Sequence, residues 1–298
     1  MQYRTDLAME RAQDSGCIDG VRMQNTRSGP FSRCAIEIQS PEAAERLQKP
    51  VGRYITLETP PIHSLALADR QALAREIADC LTPLLPPFGD VLTVGLGNRH
   101  ITSDALGSRV TEGVLVTRHL KDALPDSLRG RLRGVSALCP GVLGITGMET
   151  ADMVRGAVEQ TRPSAVIAID ALSARTCGRI GTAIQITDTG ILPGSGVGNH
   201  RAGLTRDTLG VPVLAIGVPT VVYSAVIVRD ALEALHAEAS DALARQLGQQ
   251  ELGDLVVTPR EIDQMVGELS QVLAMGLNLA LQPRLSPEEI AGLMNETM

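Results

Sequence analysis

The chain has 298 residues, 44% of them hydrophobic and 20% charged, with a net charge of −7. That is the composition of a soluble globular protein, and the acidic balance gives no bulk attraction to nucleic acid. There is no Trp, and Phe31, Phe88, Tyr3, Tyr54 and Tyr223 are the aromatics, so the core has to be aliphatic and a base-stacking surface has little to be built from.

Cys17, Cys34, Cys80, Cys139 and Cys177 form no CxxC pair, and an odd, unpaired set is expected to be free thiols in a reducing compartment. The first residues, MQYRTDLAMERAQD, lack an apolar h-region, so no signal peptide is expected. No long apolar run suited to a membrane span occurs. These readings together point to a cytoplasmic protein.

In chain order, CAIEIQ (34–39) and RYITLE (53–58) are β-type runs. Leu73, Ile77 and Leu81 recur at helical spacing and predict a helix over about 65–82, closed by Pro83, Pro86 and Pro87. VLTVGLGN (91–98) begins as a strand buried on both faces, and Gly95 and Gly97 suit a sharp turn at its end. A helix is expected from about Asp104 to Leu120. AVIAID (165–170), TAIQIT (182–187) and VPVLAIGVP (211–219) are further strands, the last followed by a helix over about 221–237.

Residues 188–206 carry the least pattern and read as a long, functional loop. Thr258-Pro259-Arg260-Glu261 has the form of a capping box before the apolar face Ile262, Met265, Val266, Leu269, Val272 and Leu273; Ser286-Pro287-Glu288-Glu289 repeats it. Alternating strands and helices predict an α/β fold: a mixed, mostly parallel twisted sheet with helices on both faces.

Two carboxylates fall where α/β sheets place chemistry, beyond the carboxyl ends of strands. Asp170 ends one buried strand, and Asp104 follows the turn after another. Brought together, they could divide acid and base roles, because like charges at close range separate their pKa values. The plainer alternative has Asp104 capping a helix and Asp170 finishing a strand.

Asp188-Thr189-Gly190 spells the DTG of pepsin-like proteases, but those folds are all-β and Asp188 reads as a turn residue. GSGVGN (194–199) lacks dinucleotide-binding spacing. Among His63, His100, His119, His200 and His236 there is no HExxH, nor is there a GxSxG elbow. Asp104, Asp170 and His119 could in principle form a metal site, but no obvious ligand set supports one, and no metal or other cofactor is expected.

Longer stretches carry a resemblance. TDLAMERA (5–12), GRYITLE (52–58), VGLGN (94–98), DALGSRV (104–110), LVTRHL (115–120), PGVLGITGMET (140–150), VIAIDALSAR (166–175), IQITDTGILPGSGVGN (184–199), TLGVPVLAIGVPTVV (208–222) and VTPREID (257–263) span nearly the whole chain. Together they resemble the germination protease family of spore-forming bacteria. The resemblance implies an α/β fold similar to hydrogenase-maturation endopeptidases and a homotetramer made as a zymogen. It also implies a cytoplasmic location in the forespore or spore core.

The implied activity is cleavage of small acid-soluble spore proteins during germination by an atypical aspartic endopeptidase, with Asp104 and Asp170 as the catalytic pair. Direct nucleic-acid or membrane partners are not implied. A metal-dependent endopeptidase on the same fold and a non-catalytic scaffold are the competing readings.

Family substrates are cut after an acidic residue and before an apolar one, with Ala next and Glu further on. Thr5-Asp6-Leu7-Ala8-Met9-Glu10 repeats that pattern. Self-cleavage is therefore expected between Asp6 and Leu7 of an exposed, flexible N-terminus. It would remove a short pro-segment, residues 1–6, from a single α/β peptidase domain, 7–298, with a β-rich N-terminal part. Arg99, Arg118, Arg175 and Arg179 are the candidates for reading the acidic side chain before the cut bond.

Overall fold

A computed structural model describes residues 5–16, 18–120, 130–192, 202–234 and 255–297. Their strands are β1 (Val21–Ser28), β2 (Phe31–Ile38), β3 (Gly52–Glu58), β4 (Val91–Gly95), β5 (Val135–Leu138), β6 (Ala165–Ala174), β7 (Ala183–Thr187), β8 (Val213–Tyr223) and β9 (Val256–Val257). All belong to one mixed sheet of order β1-β2-β3-β7-β8-β6-β4-β5, with β9 paired to β8. The β5-β4-β6-β8 half is parallel. The β1-β2-β3-β7 half is antiparallel and joins the other through the antiparallel β7–β8 pair.

Helices cover both faces because the central strands are apolar on both sides. Leu92, Val94, Val166 and Ala168 pack with Ala151, Val154 and Val158 of α6 (Thr150–Thr161). Ile167 and Ile169 point the other way. They meet α3 (Leu67–Leu81), α4 (Leu106–Glu112) and α9 (Ile262–Leu281). The expected stripe Leu73, Ile77 and Leu81 is fully buried there. On the antiparallel half, α1 (Ala8–Ser15) and α2 (Pro41–Leu47) close over Ile36, Ile38 and Tyr54. The turn α5 (Leu143–Thr146), α7 (Arg206–Leu209), α8 (Ser224–Ala234) and α10 (Pro287–Thr297) complete the described helices.

Three expectations change. The helix over 104–120 is a 3-10 turn, Thr102–Asp104, followed by the short α4. It stops at Gly113 because buried Asn278 of α9 takes the chain there: its amide donates to the Gly113 carbonyl at 3.0 Å and its oxygen accepts from the Leu115 N–H at 2.8 Å. The Thr258 box does not form, since Thr258 donates to the Thr220 carbonyl at 2.8 Å and α9 begins without a side-chain cap. The Ser286–Glu289 box does form, with reciprocal bonds of 2.8 and 3.2 Å.

The N-terminus from Thr5 onward is docked rather than flexible, with Leu7 at 0% exposure. Of the loop expected over 188–206, residues 193–201 lie outside the described residues; Ile191 and Leu204 pair on either side of them.

One contact controls how α4 meets the sheet. A Cβ on Gly107 would stand 2.4 Å from the Ile169 carbonyl oxygen and 2.5 Å from that of Leu96. Helix and strand backbones therefore touch with no side chain between them. Gly107→Ala should destabilise the fold by about 1–3 kcal/mol through overpacking. Gly292→Ala, in open space on α10, should instead stabilise it by roughly 0.5–1 kcal/mol. Urea unfolding midpoints check both, and equal midpoints would show that the helix–strand contact is not tight.

Candidate active site

The site forms at the carboxyl ends of the parallel strands, where open α/β sheets leave a crevice. After β4 the chain turns at Gly97, whose φ is +90° and whose absent Cβ would fall 2.1 Å from the Asp104 carbonyl oxygen. Only a bare Cα lets Asp104 fold back here, and the Asn98 N–H then donates to its carboxylate at 2.7 Å. The Leu96 N–H bonds the Ile169 carbonyl at 2.8 Å, tying this turn to β6 one residue before Asp170. Asp104 and Asp170 thus line one cavity of about 620 Å³.

Asp170 is 7% exposed and accepts the Ala171 N–H at 2.9 Å. Its pKa is pushed well above the ordinary value, by burial first and then by the charge of Asp104; the Ala171 hydrogen bond works against the rise and the charge of Asp6 adds to it. Asp170 therefore favours its protonated form, while Asp104 is the half-buried neighbour. Along the sheet, Asp170 and Gln185 both pair with Gly217. The two side chains flank Gly217, and the Leu172 side chain packs into the space that a side chain there would take.

Thr5 and Asp6 line this cavity too, and the chain runs on from them into the packed interior at Leu7 and Glu10. The Asp6 carboxylate accepts from the Ser173 N–H at 2.9 Å and its hydroxyl at 3.0 Å. The Asp6 carbonyl accepts from Lys49 Nζ at 2.8 Å and Gln185 Nε2 at 3.0 Å. Leu7 packs on Leu172 and Ala183 with Ile191 against them. The Ala8 N–H donates to Gln185 Oε1 at 2.6 Å. Glu10, at 0% exposure, accepts from the Arg175 N–H at 3.0 Å and pairs with Arg179 Nη1 at 2.9 Å, and Thr5 bonds it as well.

The four arginine candidates sort differently from expectation. Arg179 meets Glu10, and the Arg175 backbone does too. Arg99 pairs with Glu112 and Arg118 with Asp90. The contact to Asp6 from Ser173 was not foreseen. Neither were Lys49 and Gln185, although a glutamine inside the buried strand AIQIT is itself a signal, since a buried amide needs partners.

Asp188 accepts the Arg53 N–H at 2.8 Å at the end of β7, tying it to β3. His63, His100 and His119 are exposed and none of them lines the cavity; His200, His236 and residues 194–199 lie outside the described residues. No group of three or more His, Cys, Asp and Glu is disposed to hold a metal ion among the described residues. Nor is any of their helices long and apolar enough to cross a membrane.

Against known proteins, the family model described as germination protease matches residues 2–240. The chain belongs to the germination protease family. Relatives named germination protease include one from Clostridium acetobutylicum, 40% identical with 98% of this chain and 99% of the relative covered. Another, from Caldanaerobacter subterraneus, is 40% identical with 98% of each covered. Among solved structures, a [NiFe] hydrogenase maturation protease from Thermococcus kodakarensis matches over 66% of this chain and 98% of its own, with a TM-score of 0.36 and 20% identity. Membership in the germination protease family makes the chain a protease of spore germination.

The raised pKa of Asp170 has a consequence for stability. Between the ordinary carboxylate value of 3.8 and its raised folded value, the folded state holds a proton that the unfolded chain releases. Stability contributed at this position is therefore full below the unfolded pKa and declines as pH rises toward the folded one. Asp170→Asn escapes that loss. The melting temperature of the variant should gain on the wild type as pH goes from about 4 to about 8; a gap that stays constant would mean that Asp170 titrates normally.

Proposed function

We propose that the protein is the sequence-specific endopeptidase that begins the degradation of small acid-soluble spore proteins during germination, and that it processes itself by cutting between Asp6 and Leu7. The observation that carries the reading is the Thr5–Glu10 segment, which repeats the family's substrate pattern and whose Asp6 lines the same cavity as Asp104 and Asp170. Every conspicuous feature of that pattern has a partner: the first acid meets Ser173, the apolar residue fills a dry pocket, and the last acid meets Arg179.

The two carboxylates supply the chemistry of an atypical aspartic peptidase. Asp104 as carboxylate takes a proton from water, and the water oxygen bonds to the Asp6 carbonyl carbon. The carbonyl electron pair moves to its oxygen. Asp170, kept protonated by burial, passes its proton to the Leu7 nitrogen. The C–N bond breaks as the carbonyl re-forms, leaving a carboxyl on Asp6 and an amine on Leu7. Asp104 then holds the proton that Asp170 has lost, and exchange between them restores the starting pair.

On this reading residues 1–6 are the pro-segment and 7–298 the peptidase domain, its N-terminal part β-rich. The enzyme acts on protein substrates without contacting nucleic acid directly, needs no metal, and assembles as the homotetramer implied by its family.

Asp104→Asn and Asp170→Asn should each fold and lose about 10²–10⁴-fold in cleavage. Intact-mass measurement at mildly acidic pH should show a new N-terminus at Leu7 in the wild type and an uncut chain in both variants. A folded Asp170→Asn protein that still cuts at full rate would remove the pair from the mechanism. Loss of cutting on chelation, restored by added zinc or nickel, would replace the metal-free reading with a metal-dependent one.

A further inference from the structure

We infer that Lys49 and Gln185 form the hole that receives the carbonyl oxygen of the bond being cut, so that the negative charge of the tetrahedral intermediate rests on a lysine ammonium and a glutamine amide; this rests on the proposed cut between Asp6 and Leu7. The Asp6 carbonyl oxygen accepts from Lys49 Nζ at 2.8 Å and from Gln185 Nε2 at 3.0 Å. Both distances fall in the range of roughly 2.7–3.1 Å that a hole for a developing oxyanion requires.

Local structure holds both donors. Lys49 follows the left-handed cap of α2, where Gln48 has φ +53° and the Lys49 N–H returns to the Ala44 carbonyl at 3.1 Å. The turn aims the residue after the helix back toward the cleft. Gln185 is 7% exposed in the middle of β7, and its amide is used at both ends. Nε2 donates to the Asp6 carbonyl and Oε1 accepts the Ala8 N–H. That pairing admits one orientation of the amide, because the flipped side chain would oppose donor to donor and acceptor to acceptor. Gln185 thus grips the substrate backbone on either side of Leu7, independent of the side chain there.

The partner of Lys49 is what sets it apart from a plain anchor. Burial lowers the Lys49 pKa, the charge of Asp6 works against that, and Arg11 adds to the lowering. A neutral backbone oxygen compensates a desolvated ammonium poorly. The same contact strengthens once the oxygen carries charge, which happens only on the way to the intermediate. An interaction stronger in the transition state than in the ground state accelerates the chemical step.

The test follows two reactions. One is self-cleavage between Asp6 and Leu7, read by intact mass in the full chain. The other is cleavage by the processed enzyme of an end-blocked peptide, Thr-Asp-Leu-Ala-Met-Glu. Lys49→Met should slow both by about 10²–10³-fold, with the loss in kcat and KM changed only a few-fold. Lys49→Arg should recover part of the rate because it keeps a charged donor. Gln185→Met should lower kcat and also raise KM, since it loses the Ala8 contact. Thermal unfolding confirms which variants are folded, and Lys49→Arg gives the second measure if Lys49→Met is not.

A folded Lys49→Met protein that cuts at the wild-type rate overturns the hole and leaves the aspartate pair standing. So does one in which only KM changes, which would make Lys49 an anchor. If the wild type does not cut between Asp6 and Leu7 while Lys49→Met is equally silent, the underlying reading of the segment falls, and the hole with it.

Discussion

The structure depends on one close approach: the backbone of α4 against the backbones of β4 and β6, permitted by the missing side chain at Gly107. With a methyl group there, the helix would move outward by a side chain's thickness and take Asp104 with it. Because it does not, a carboxylate on a turn reaches another on a buried strand. The resulting repulsion lies in a poorly solvated place, where charges interact more strongly than in water. Packing between two backbones thus adds the charge of Asp104 to the burial that is the first cause of the raised Asp170 pKa.

The acids around the cleft show how environment separates identical groups. Glu10 is fully buried but faces Arg179 and the Arg175 N–H. Asp6 takes two hydrogen bonds from Ser173. Asp170 has the Ala171 N–H to set against burial and two like charges. A buried ion pair such as Glu10–Arg179 adds little net stability over an apolar pair, but removing one partner typically costs about 3–5 kcal/mol.

What was legible in the sequence follows from where the information lay. The buried strands announced themselves as apolar runs, and both aspartates were marked by their place after such runs and by nearby glycines. The β1 strand was invisible because VRMQNTRS faces solvent along nearly all its length and carries no apolar alternation. The first helix, AMERAQDS, was hidden for a different reason: its burial comes from docking onto β2 and β3, and polar Glu10 is satisfied by residues far along the chain. The end of α4 was set by Asn278, more than a hundred residues away. The Thr258 box had correct spelling, but β8 claimed its hydroxyl first. Lys49 had no local pattern at all; its role comes from the turn at Gln48 and from what lies across the cleft.

The docking of α1 has a kinetic side. Leu7, Ala8 and Glu10 belong to the packed structure, since Leu7 sits among Leu172, Ala183 and Ile191 and Glu10 against Arg179. A tethered segment competes for its own binding groove at an effective concentration that reaches the millimolar range for short tethers. On the proposed reading, a free substrate would therefore have to displace the resident N-terminal segment. On that reading, the working rate of the enzyme would be governed by how often the first helix lets go as well as by the two aspartates.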